Sequence, residues 1–137
     1  MNEKLATPFV PISWGELIDK ITILEIKELK ISAINARENI KKELSYLLKI
    51  SNLNTMPEEI QSLKTTLRDV NLKLWDVEDR IREKELDGQF DSIFIDLARS
   101  VYRLNDERAK TKQSINLMLC SELVEEKSYK DFQAEVN

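Results

Sequence analysis

A chain of 137 residues with a formal net charge of −4, no histidine and one cysteine has room for one core and excludes several chemistries at once. Zinc and an internal disulfide are not expected, and 21 Lys+Arg against 25 Asp+Glu without a basic tract disfavours nucleic acid as a partner. Two glycines, three prolines (all before residue 58), 34% charged and 42% hydrophobic residues are the composition of long amphipathic helices.

Residues 1–12 are predicted as an extended arm. Pro8 and Pro11 disfavour helix around themselves, and Phe9, Val10 and Ile12 give the arm apolar surface to bury. Ser13 is the expected N-cap of a first helix, with Glu16 completing a capping box. No breaker follows Gly15, so this helix is expected to run to about Ile50. Its first half carries Leu17, Ile18, Ile21, Ile23, Leu24, Ile26, Leu29 and Ile31 around most of its circumference, more than one neighbour can cover; contact with two helices or with a second subunit follows. The later half narrows to Ala33, Ala36, Ile40, Leu44 and Leu47.

A turn over Ser51–Asn54 leads to Pro57, expected at a first-turn position after Thr55 or Met56, with Glu58 and Glu59 placed to favour the positive end of a second helix. Ile60, Leu63, Leu67, Val70, Leu74, Val77 and Ile81 then step by 3, 4, 3, 4, 3, 4. That heptad seam predicts lengthwise packing against partner helices to about Leu86. Asp87-Gly88 supplies a left-handed stop. Asp91 is the expected cap of a third helix, with Phe90 and Ile95 as a hydrophobic staple. Ile93, Leu97, Val101, Leu104, Ile115 and Met118 form its stripe, Cys120 is expected to pack, and residues 125–137 are expected to be a frayed polar tail.

The predicted architecture is all-α: an antiparallel bundle of three long helices over a single domain, residues 1–137, with the arm across one end. No stretch is long and apolar enough to span a membrane, and Met-Asn-Glu-Lys-Leu-Ala lacks the layout of a signal peptide, so a cytoplasmic location without membrane partners is expected.

In a hairpin turning near residue 88, facing residues of the second and third helices should sum to about 177, pairing Glu78 with Arg99 and Trp75 with Tyr102. With three helices the first runs parallel to the third, which brings Glu28 toward Arg99 too. Glu28, Glu78 and Arg99 would then form a buried polar layer that specifies helix pairing. On the third helix, Arg99, Tyr102, Asn105, Arg108 and Lys112 are the candidate binding residues, suited to an anion or a small molecule. No catalytic residue stands out. A serine or cysteine nucleophile lacks a histidine base; Gly15 and Gly88 are isolated, so no phosphate loop exists. Glu58-Glu59 followed by Ser62 does not make the acidic cluster of a magnesium-dependent helical hydrolase. No metal and no cofactor are predicted.

The run Trp14-Gly15-Glu16-Leu17-Ile18-Asp19-Lys20-Ile21-Thr22-Ile23-Leu24-Glu25-Ile26-Lys27 resembles the opening signature of a small bacterial all-helical family without an assigned activity. Leu74-Trp75-Asp76-Val77-Glu78-Asp79, Leu97–Asp106 with Arg108 and Ala109, and Val124–Tyr129 resemble it as well. The resemblance implies a shared compact fold and transfers no reaction. Two functions remain open. The first is a non-enzymatic, self-associating interaction module, a homodimer that could also engage another protein. The second is a small-molecule or anion-binding protein, enzymes included, using the Arg/Tyr face of the third helix.

Overall fold

The computed structural model describes residues 3–128 and contains four helices, α1 Trp14–Lys30, α2 Ile34–Ser51, α3 Glu58–Leu86 and α4 Ser92–Met118, with a 3-10 turn at Leu53–Thr55 before α3. No strand occurs among the described residues. The all-α expectation stands, but the number of helices is four, not three. The long first helix is interrupted at residues 31–33, where Ile31 and Ala33 take extended backbone conformations (ψ 126° and 127°). Neither glycine nor proline makes this break. Arg37 does: its Nη1 donates to the carbonyls of Glu28 and Ile31, two acceptors that a helix end leaves open. The benefit is packing. Unbroken, residues 14–51 would extend about 57 Å against the roughly 43 Å of α3, and the far half would have no neighbour. Folded back, α2 sets Ile40 and Leu44 into one cluster with Leu17, Ile18, Ile21 and Leu24 of α1, completed by Leu53, Ile60, Leu67 and Ile115.

The additional reversal changes the direction of everything downstream. Contacts between α1 and α4 pair Gly15 with Asn116, Glu16 with Lys112 and Asp19 with Arg108, so the two helices are antiparallel. The expected parallel alignment is overturned, and with it the approach of Glu28 to Arg99. Most of the apolar excess of α1 is absorbed inside the chain, because α1 packs against α2, α3 and α4; Leu29 alone of that set is exposed. Ile18, Ile21 and Ile26 are at most 1% exposed.

The α3–α4 hairpin follows the predicted register closely. Asn71 and Arg108 (sum 179) meet on one carboxylate, and Lys84 pairs with Asp91 (sum 175) at 2.9 Å. Gly88 takes φ +63°, and the amide of Gln89 donates to the Lys84 carbonyl, a Schellman ending. Asp91 caps α4 by accepting from the Phe94 amide; that bond and the Lys84 contact, Lys84 first, hold its carboxyl below the usual range. The staple differs from expectation: Phe90 meets Phe94 edge-to-face at 5.2 Å, while Ile95 is half exposed. Only part of the heptad seam is fully covered. Ile60, Leu67 and Val70 are buried, whereas Leu63, Leu74, Val77 and Ile81 are half-buried.

Three further expectations are corrected. Pro57 occupies the N-cap position of α3. The arm, residues 3–12, is extended but covers nothing, with Phe9 80% and Val10 76% exposed. Cys120 is exposed at φ +50° just beyond α4, because it occupies the left-handed position of that helix ending. Residues 129–137 of the expected frayed tail lie outside the described residues. Residues 125–128 have no regular secondary structure, yet Glu125 is anchored (below).

Candidate functional site

On α1, Gly15, Asp19, Thr22 and Ile26 recur at 4, 3 and 4 residues and so share one face. This face lies against α3 and α4, and it is where the chain is most polar inside. Asp19 is fully buried and accepts from Arg108 Nε at 2.9 Å and Nη2 at 2.5 Å, and from Asn71 Nδ2 at 2.9 Å. Asn71 Nδ2 also donates to Thr22 Oγ1 at 2.9 Å, and the Thr22 hydroxyl donates to the Asp19 main-chain carbonyl at 2.8 Å. A forked guanidinium on a carboxylate is the strong form of a charged hydrogen bond. The bond to Asp19 raises the Arg108 pKa against the opposing pull of burial, so the guanidinium stays charged.

One turn further along α4, Lys112 Nζ reaches Glu16 Oε2 at 2.6 Å and Glu125 Oε2 at 2.7 Å. Burial depresses the lysine, but the two carboxylates outweigh it and its pKa is raised. Beside it the start of α1 is locked into the end of α4. Gly15 N–H donates to Asn116 Oδ1 at 2.7 Å, Trp14 N–H to Ser121 Oγ at 3.1 Å, and Glu16 N–H to the cap Ser13 at 3.2 Å. The capping box is therefore half formed: Ser13 caps, while the Glu16 side chain turns to Lys112. A side chain at Gly15 would collide with α4, because an added Cβ lies 2.5 Å from the Lys112 carbonyl oxygen.

Beyond Asp19, where α1 diverges from α3, a groove of about 400 Å³ opens. Ile23, Ile26, Leu74 and Trp75 form its apolar wall; Glu78, Asp79 and Arg82 stand along its rim and Arg108 at its inner end.

The candidate residues of the sequence separate. Arg108 and Lys112 turn inward onto α1. Arg99 and Tyr102 are exposed and bond to each other one turn apart, which raises the pKa of Arg99 and lowers that of Tyr102. Asn105 is exposed. The expected layer of Glu28, Glu78 and Arg99 is not a buried one: Glu78 and Arg99 are exposed and form no ion pair among the described residues, and Glu28 is half-buried. The buried layer consists instead of Asp19 and Asn71, closed by the half-buried Arg108. A polar residue ringed by Leu17, Ile18 and Ile21 was the signal for Asp19; Asn71, beside the seam, offered none.

Chemically the layer holds charge and directs helices. Asp19 meets three donors, Arg108 gives two of its bonds to it, and the adjoining hydroxyl, Thr22 Oγ1, is held by Asn71 and by the Asp19 carbonyl. Among the described residues no group of three or more Cys, Asp or Glu could hold a metal, and no helix is long and apolar enough to cross a membrane.

Fold and site together define a helical-bundle protein that closes around a buried carboxylate–guanidinium clasp. The chain belongs to a family of unknown function, DUF6165, whose model matches residues 9–134. No curated protein and no solved structure matches it.

The clasp at Lys112 has a pH signature. Lys112 first, then Lys127, lowers the pKa of Glu125 to about 2 from 4.5. A depressed carboxylate contributes stability that is complete above its unfolded value and is lost as pH falls through its folded one. An acid titration between pH 4.5 and 2 should show the segment after α4 releasing. Glu125→Gln should remove that dependence without changing the helical content at neutral pH. The two proteins titrating identically would contradict the assignment.

Proposed function

We propose that the protein is a non-enzymatic, self-associating helical interaction module, a cytoplasmic homodimer that uses the outer half of the α3–α4 hairpin as its contact surface. One observation carries this reading. From about Asp76, where Lys30 at the end of α1 pairs with α3, the hairpin runs on past the C-terminal end of α1. Val77, Ile81, Phe94 and Val101 are half-buried there, Leu97 alone is buried among the described apolar residues, and Leu86, Phe90, Ile93 and Ile95 are 48–86% exposed. The two helices leave these side chains uncovered, and exposed apolar surface of this kind marks contact sites. A second copy supplies the missing helices by making four of two, and two-fold pairing is the usual solution. The opposite charge of the two helices suits it: residues 76–87 carry six acids against three bases, and residues 96–112 five bases against three acids.

The anion-binding alternative has less behind it, since Arg108 and Lys112 are already engaged by Asp19, Glu16 and Glu125. Sedimentation of the full chain over a micromolar range tests the proposal. A dimer that dissociates on dilution is expected; a monomer at every concentration would reject it.

A further inference from the structure

The groove beside Trp75 and the exposed end of α3 lie on one line of that helix. Asn71, Trp75, Glu78, Arg82 and Leu86 follow at 4, 3, 4 and 4 residues, a single helical stripe. Its first part is roofed by α1 and lined with Ile26, Leu74 and Trp75; its last residue, Leu86, is 86% exposed and touches little of its own chain. The stripe thus carries an empty apolar recess at one end and an uncovered apolar side chain at the other, eleven residues or about 16 Å apart. Between them stand two acids and a base, Glu78, Asp79 and Arg82, which form no ion pair among the described residues.

We infer that this stripe is its own partner: α3 pairs antiparallel with α3 of a second copy about a two-fold axis near residues 80–81, and Leu86 of each copy fills the Trp75 groove of the other. The inference rests on the self-association proposed above and gives it a register. Facing residues then sum to about 161. Leu86 falls opposite Trp75, and Arg82 falls opposite Asp79, with Glu78 the next residue along the helix. Both ends are satisfied by one operation, as an isologous contact requires. The charges attract in this register, whereas a parallel pairing of the same helices would set Arg82 against Arg82 and Asp79 against Asp79. The contact also explains why a leucine ends a helix whose other outward residues near it, Glu83, Glu85 and Asp87, are charged.

The test uses the full chain with Cys120→Ser. Asp79→Cys and Arg82→Cys proteins are mixed and treated with a short bismaleimide; heterodimeric cross-links are expected, and none with Lys41→Cys on the exposed side of α2. Leu86→Asp should weaken the dimer roughly 100- to 10,000-fold, the loss of two buried leucine side chains, one from each copy. Its circular dichroism should be unchanged, because Leu86 is exposed in the single chain. Arg82→Glu should weaken it too, and mixing it with Glu78→Arg/Asp79→Arg should restore association. A dimer that ignores Leu86→Asp and gives no 79–82 cross-link overturns this contact and leaves self-association standing; a parent chain that is monomeric throughout overturns both.

Discussion

Replacing Arg108 by alanine is expected to cost about 3–5 kcal/mol of folding stability, the range for breaking a buried pair by removing one partner. Asp19 is fully buried, and Arg108 supplies two of its three side-chain hydrogen bonds; without them the carboxylate keeps Asn71 alone. Denaturant unfolding measures this directly. Arg108→Lys should recover only part of the loss, since a lysine cannot present two parallel N–H groups. Replacing Asp19 and Arg108 together by leucine should cost much less than the single change, because no charge is then stranded. If the single and double variants were equally unstable, the pair would be doing no more than filling space. The double variant also tests direction: without the Asp19–Arg108 pair, α1 is held to α4 by packing, the Glu16–Lys112 pair and the Gly15–Asn116 hydrogen bond, and loss of resolved side-chain NMR signals in a still helical protein would show that the buried pair specifies the arrangement.

The sequence made α3 and α4 legible because each of their signals is local. A heptad seam, a left-handed glycine at position 88 and an aspartate cap at 91 need no knowledge of the rest of the chain. The break after Lys30 is different. Ile31, Ser32 and Ala33 are compatible with helix, and what stops it is Arg37 binding back to carbonyls at 28 and 31 together with the core gained when α2 folds over α1. Neither is visible in a window of residues. The error propagated through parity: one uncounted reversal turned α1 from antiparallel to parallel against α4. Hence Arg99 was given the partner role that Arg108 fills, and Glu28 the one that belongs to Asp19. Asp19 itself was within reach. A carboxylate amid Leu17, Ile18 and Ile21, with Gly15 and Thr22 on its own face, marks a side of the helix that is enclosed but polar. The excess of apolar side chains on α1 predicts contact with two helices or with a second subunit; the neighbours found are α2, α3 and α4 of the same chain, so this excess is not what argues for a second copy.

Gly15→Ala should destabilise the protein, although it adds only one methyl group. The Trp14-Gly15-Glu16 step approaches α4 closely, and an alanine Cβ would sit 2.5 Å from the Lys112 carbonyl oxygen and 3.0 Å from Asn116 Oδ1. The first of these is backbone inside a helix and cannot rotate away, so the helices must separate. Overpacking of this kind costs about 1–3 kcal/mol, and the separation also stretches the Gly15–Asn116 hydrogen bond, worth about 1 kcal/mol more. A total of about 2–4 kcal/mol follows. That outweighs the gain, up to about 1 kcal/mol, that alanine brings over glycine in a helix. The measured sign therefore decides between two descriptions of this residue. A stabilised Gly15→Ala protein would mean that α1 and α4 stand further apart than the structure places them. Destabilisation, with Asn116→Ala less severe, would identify the close approach as the cause. Glu16 and Asp19 reach Lys112 and Arg108 from the same face, so widening the crossing should loosen both ion pairs. Gly15→Ala and Arg108→Ala should then combine to less than the sum of their separate effects, as coupled neighbours do.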